Sequence, residues 1–208
     1  MTRPTKCRRN IRIPLKDNPV LLDRAIQSLQ TRLSDNLAWL NYAFGRGYKM
    51  VEYQGDDKVL YPAAYLGNGE YASLMPSDEF GNFCWFDIYD PQEVEVFTPG
   101  KSHLKISGAI VFWFNLNSIF ADADANYSEE VKKEIIDVLT APGASAGRLA
   151  IKAVYETLEK LYDGYSIMRA YNPYSYKSEG VQQLDKQYFM HPYAGIRIEF
   201  EMQINEVC

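Results

Sequence analysis

The run from Leu104 to Leu116 constrains this fold more than any other stretch. Ile106 and then Ala109 to Phe114 are apolar with almost no polar interruption. The run is far too short for a membrane-spanning helix, which needs about 20 such residues. It is rich in the β-branched and aromatic residues that suit strands. A strand that is apolar on both faces sits in the middle of a sheet and needs cover on each side. The chain must therefore supply two covering layers.

Other segments supply candidate partners. Ile196, Ile198, Phe200, Met202 and Ile204 alternate with Arg197, Glu199, Glu201 and Gln203, the period of a half-exposed strand. Tyr48–Tyr53 and Val59–Leu66 flank a Gly55-Asp56-Asp57 turn and predict a hairpin. Tyr61-Pro62 puts its second strand at an edge or at a strand start. Gly67-Asn68-Gly69 reads as a further turn, and Cys84–Tyr89 and Val94–Phe97 as short strands. Asn18 as cap and Pro19 at the first helical position precede Leu21, Leu22, Ala25, Ile26, Leu29 and Leu33, an amphipathic helix. Leu37–Phe44 is ambiguous. Two later helices are expected, over Glu129–Leu139 and Arg148–Tyr162, separated by Pro142-Gly143. The expected class is α+β: a single, mostly antiparallel sheet flanked by an N-terminal helix and two later helices.

Charge divides the chain. Arg3, Lys6, Arg8, Arg9, Arg12 and Lys16 all precede the first acid, Asp17, and the rest carries 16 basic against 27 acidic residues. Residues 1–17 therefore read as a basic arm on an acidic body, 18–208. Such an arm suits an acidic neighbour, a second copy included, better than a broad contact with phosphate. At 208 residues the chain needs neither metal nor disulfide to bury a core. The sequence begins without the apolar segment of a secretory signal. Cys7, Cys84 and Cys208, odd in number and widely spaced, read as free thiols of a reducing compartment.

Reactive motifs are weak. Gly143-Ala144-Ser145-Ala146-Gly147 matches the G-x-S-x-G elbow of serine hydrolases, with Asp163 or Asp185 and then His191 in the required order. The elbow needs a strand running into the serine, and here a helix and Pro142 precede it. Gly67-Asn68-Gly69-Glu70-Tyr71-Ala72 resembles a dinucleotide turn but lacks a following helix. Asp122, Asp124, Asn126 and Ser128 have early calcium-loop spacing, yet Tyr127 and Lys133 stand where Gly and Glu are required. His103 and His191 have no zinc partner at ligand spacing. Glu93 with Glu95, and Glu199 with Glu201, fall on alternating strand positions and read as a solvated face. No catalytic, cofactor-binding or metal residue is assigned. The alternatives are a serine hydrolase using Ser145 and a small ligand-binding or calcium-binding module.

Aromatic side chains in polar loops are the remaining signal. Met75, Phe80 and Phe83 mark one loop, and Tyr171, Tyr174 and Tyr176 another. Aromatics and Met are enriched at protein interfaces. Candidate subunit-interface residues are therefore Arg3, Lys6, Arg8, Arg9, Arg12, Met75, Phe80, Tyr171, Tyr174 and Tyr176.

The order of elements resembles the tail-terminator and head–tail joining proteins of tailed bacteriophages. An amphipathic helix leads to Tyr61-Pro62-Ala63-Ala64-Tyr65-Leu66, a long strand at Leu104–Leu116, helical material and a closing strand over Tyr193–Met202. Trp39–Gly45, Gly67–Tyr71, Phe112–Leu116 and His191–Gly195 look like segments of proteins from phages and prophages of Bacteroides-type bacteria. The resemblance covers roughly residues 18 to 205. It implies a homo-oligomeric ring, typically a hexamer, at the neck or tail end of a virion, assembled in the host cytoplasm. It implies partners among other neck and tail proteins, DNA contact only through a ring lumen, no membrane, no cofactor and no catalysis. The chain departs from that pattern in its greater length and in a doubled helical segment before the last strand, which leaves room for another neck or connector role.

Overall fold

The computed structural model describes residues 17–54, 56–98, 101–122, 124, 126–142, 148–165 and 190–207. The run at Leu104–Leu116 forms the middle of strand β6 (Lys101–Asn115). Its antiparallel neighbour is the closing strand β8 (Tyr193–Val207), in unbroken register from Lys101↔Val207 to Asn115↔Tyr193. The expected hairpin is β1 (Tyr42–Gln54) with β2 (Asp57–Gly67), and β3 (Glu70–Ser73) follows it. Asn68 and Gly69, at φ 52° and 84°, make the tight β2–β3 turn, whose positive φ values favour Asn-Gly. Next come β4 (Phe83–Ile88) and β5 (Glu93–Thr98).

All eight strands join one mixed sheet, ordered β3-β2-β1-β4-β6-β8-β7, with β5 also on β6. Among the described residues only β1 and β4 pair in parallel. The class is α+β, as the sequence predicts. Strands β4 and β5 lie end to end along β6, interrupted at residues 89–92, where Tyr89 N donates to Ser107 O at 2.9 Å. Because β1 is parallel to β4, the β1–β2 and β5–β6 turns leave the same end of the sheet.

Alternation sorts the side chains onto two faces. On the first, α1 (Leu21–Asn36) lays Leu22, Ala25, Ile26, Leu29 and Leu33 against Ile110, Phe112, Ile198 and Phe200. Helix α3 (Tyr127–Thr140) adds Val131, Ile135 and Leu139. Arg32 of α1 donates to Val138 O at 2.8 Å, satisfying a carbonyl at the end of α3, where a cation is favoured. On the second face, Phe44, Phe83, Trp85, Val111 and Trp113 are covered by Leu74, Leu161, Tyr162 and Tyr165. Both faces of β6 are thus buried.

Three expectations are corrected. Helix α1 starts at Leu21 with Val20 as its N-cap and no side-chain cap bond, so Asn18 does not cap it. Asn18 instead takes a left-handed φ of 50°. Residues Arg148–Tyr155 are strand β7, not helix; only α4 (Leu158–Leu161) is helical in that stretch. The edge of β8 recruits this segment in antiparallel register, and one exposed, one half-buried residue alternate along it. The doubled helical segment is therefore one helix and one edge strand, preceded by the single turn α2 (Leu116–Ile119). Finally, the polar face of β8 is closed at Arg197, which is 1% exposed, while Glu199, Glu201 and Gln203 on the same face stay partly exposed.

At the end opposite the turns, buried Asn82 joins several crossings. Its Nδ2 donates to Trp39 O at 2.9 Å and Ser118 Oγ at 2.8 Å, and its Oδ1 accepts from Asn115 N at 2.8 Å. A buried polar group left without its partner costs about 1–3 kcal/mol. Asn82→Ala strands several and should lower unfolding free energy by at least about 2 kcal/mol in urea titration; an unchanged midpoint would contradict this role.

Candidate functional site

The second face of the sheet changes character along its length. Near Trp85 and Trp113 it is an aromatic core; one step further it carries Asp87, Tyr89, Arg197 and Glu199. Arg197 lies on β8 opposite Val111. Its Nη2 donates to Asp87 Oδ2 at 2.8 Å and to the Tyr89 hydroxyl at 2.5 Å, and its Nη1 to Leu161 O at 3.1 Å. The Tyr89 hydroxyl donates to Glu199 Oε1 at 3.2 Å, and the Tyr165 hydroxyl to Asp87 Oδ1 at 3.2 Å. Arg197 Nε lies 4.0 Å from Glu199 Oε1 and makes no hydrogen bond among the described residues.

Burial works against the Arg197 charge, but Asp87 and Tyr89 outweigh it and leave the pKa raised. Burial pushes the Tyr89 phenol up to about 12, against a partial pull downward from Arg197. Burial raises Tyr165 further, helped by the Asp87 charge. These phenols therefore stay neutral donors. The arrangement is a charge clamp joining β4, β8 and the 158–165 segment. Above it opens a cleft of about 580 Å³, walled by Arg46–Lys49, Asp87–Asp90 and Asp163–Tyr165.

A second feature lies beside the cleft. β1 pairs with β4 only at Tyr42, Ala43 and Arg46, so β1 beyond that point continues with β2 and β3 as a blade. Gly47 lets β1 pass close over the Trp85 ring at the foot of the blade, since a Cβ there would stand 2.5 Å from that ring. On the α1 side of the blade, Tyr71 meets Tyr48 and Tyr65 with ring centroids 6.1 and 5.2 Å apart. Val51, Tyr53, Tyr65, Leu66 and Tyr71 are all exposed, Tyr53 by 71%.

The sequence-derived candidates are dispersed. Arg3, Lys6, Arg8, Arg9, Arg12, Tyr171, Tyr174 and Tyr176 lie outside the described residues, as do Ser145 and Asp185. Met75 and Phe80 are half-buried against the second core, Phe80 packing 5.2 Å from both Tyr42 and Phe44. Phe83 is fully buried. Their loop spends much of its apolar surface on its own domain. Around Ser145, helix α3 precedes and strand β7 follows, the reverse of the strand-to-helix order an elbow needs. Asp163 pairs with Lys160 at 3.2 Å, and His191 is exposed. Asp124 serves the chain turn, its Oδ1 accepting from Asn126 N at 2.8 Å. His103 and His191 stand at opposite ends of the β6–β8 ladder, and the described residues contain no cluster of three metal-binding side chains. Glu201 pairs with Lys152 at 2.8 Å. No helix among the described residues is long and apolar enough to cross a membrane.

Sequence reasoning missed both the clamp and the blade's exposure. Arg197 looked like one more solvent-facing member of an alternating strand. Neither the family models nor the curated proteins contain a match to this chain.

Breaking the clamp on one side leaves a buried charge uncompensated, a loss of about 3–5 kcal/mol. Asp87→Ala should show that loss in denaturant unfolding, and Asp87→Leu with Arg197→Met should lose less than either single change. Equal additive losses would contradict the pairing. The tyrosines give a pH signature. A folded-state pKa raised from 10.0 to about 12 keeps its contribution below pH 10 and loses it as pH rises through 12. Denaturant midpoints should fall above pH 10, and less steeply in Tyr89→Phe; identical slopes would exclude Tyr89 as a contributor.

Proposed function

We propose that this chain is a structural subunit that works by joining other protein copies through extended surfaces, in a homo-oligomeric ring. The observation that carries the reading is the blade, where Val51 and Tyr53 are exposed on one face toward its end, and Tyr65 and Tyr71 on the other face at its foot. Contiguous exposed apolar surface marks interaction sites, and tyrosine is among the residues interfaces favour. A hairpin of this kind gains little stability alone in water, so a neighbour packed on it serves both partners. The clamp adds support by fixing the 158–165 segment, whose Tyr165 ring lies 5.6 Å from Lys49 Nζ of β1.

On the resemblance to tail-terminator and head–tail joining proteins, the ring stands at a phage neck or tail end and has six copies. Head-to-tail contacts close into such a ring when each subunit carries two different complementary patches. A second reading, a small-ligand module, draws on the cleft, whose volume falls within the usual range for ligand sites. Its lining is more charged than such sites usually are.

Native mass and negative-stain images of the full chain should show closed rings. Val51→Glu with Tyr53→Glu changes exposed positions only. It should convert rings to protomers while leaving thermal unfolding of the protomer within a few degrees. A protein that stays monomeric at all concentrations would reject the reading.

A further inference from the structure

The sheet divides between β1 and β5. β1 has no partner on its β4 side after Arg46 among the described residues. Among the described residues β5 likewise has none on the side away from β6. Both strands run the same way, toward the two turns, so two backbone edges face a common opening above the cleft. Unpaired edges of this kind accept an added strand through main-chain hydrogen bonds, with alternate side chains setting specificity.

The lining has two unlike faces. Glu93 and Glu95 sit on the face that carries the clamp, beside the cleft rather than in its wall; Glu93 is 3.6 Å from Lys105, and Glu95 shares a recess with Lys105 and Arg148. Both are exposed, as is Asp90 at the foot of β5. Val94 points to the opposite face and is 65% exposed. Arg46 and Lys49 stand on the β1 side of the cleft, so the attraction for a cation comes from the β5 side. The opening suits a strand with bases on one face and apolar groups on the other.

This chain contains such a segment outside the described residues. Thr5–Ile13 lies between Pro4 and Pro14, each of which lacks the N–H a ladder uses. Within it Lys6, Arg8 and Arg12 share one parity, and Cys7, Ile11 and Ile13 the other, with Arg9 the one base among them. Extended, the segment spans about 30 Å at roughly 3.3 Å per residue, enough to run the length of either edge.

The geometry points to insertion of residues 5–13 of a neighbouring copy between β1 and β5, adding a strand to the divided sheet. Each subunit is then donor on one side and acceptor on the other, which is the head-to-tail contact a ring requires. The inference rests on the ring reading and names the contact that closes it.

The test uses three preparations: the full chain, a chain lacking residues 1–16, and a fluorescent peptide of residues 1–17. The full chain should be multimeric and the truncated chain of lower mass. The peptide should bind the truncated chain, more tightly at low salt, where charge attraction is least screened. Glu93→Lys with Glu95→Lys should weaken binding at least tenfold. So should a peptide with Lys6, Arg8 and Arg12 changed to Glu, a variant that leaves the body untouched. Absence of peptide binding, or binding insensitive to both reversals, overturns the inference. A truncated chain that keeps the full multimer mass also overturns it while leaving the ring reading intact. A full chain that is monomeric and refuses the peptide, while the truncated chain accepts it, assigns the arm to its own sheet; both readings then fail.

Discussion

Everything in this molecule follows from a strand that no single layer can bury. β6 is apolar on both sides at Ile110 to Phe114, and every one of those residues is 2% exposed or less. β8 takes its whole backbone edge on one side, and β4 with β5 take the other. Its faces need separate covers, and the chain builds them from different material. One is a pair of amphipathic helices. The other is a patchwork of short segments around Leu74 and Leu161–Tyr165. Where these covers stop, the strands continue. The blade and the β5–β6 turn are the portions of the sheet that outrun their cover.

The second cover is where polarity enters the interior. Apolar packing ends at Trp85, and the next inward position of β4 is Asp87. A carboxylate there is tolerable because Arg197 meets it, and an arginine there is tolerable because Tyr89 and Leu161 O share its protons. Burying such a pair does not by itself stabilise a fold relative to apolar residues. It does make the position of the 158–165 segment depend on specific bonds rather than on contact area. That segment in turn walls the cleft beside the divided sheet. The clamp is thus a positioning device for the surfaces around it.

Much of the architecture was legible. The central strand, the closing strand, the first hairpin, the Asn-Gly turn, α1 and α3 each carry a period or turn residue that local physics reads directly. Arg148–Tyr162 was misread because Ile151, Val154 and Leu158 keep helical spacing, while a bulge between Ile151 and Ala153 is what returns Val154 to the packed side of the strand. The free edge of β8 decided it, and that is a long-range fact. Arg197 was misread for a related reason: strict alternation says which residues share a face, not what later covers that face. The polar loop around Phe80 looked available for partners because aromatics in polar surroundings have no local explanation. Tyr42, Phe44 and Phe83, distant in sequence, supply it. Reactive chemistry had no comparable signal in the sequence.

On the proposed function the sheet divides its labour: a doubly covered ladder gives stability, and the uncovered continuation of the same sheet makes the contacts between copies. Hydrogen exchange on the assembled protein and on isolated protomers tests it directly. Amides of residues 110–114 should exchange only through global unfolding in both forms. Amides of residues 47–53 and 58–61 should exchange much faster in the protomer and gain protection on assembly. Uniform protection along β1 in the protomer, or no change on assembly, would contradict the account.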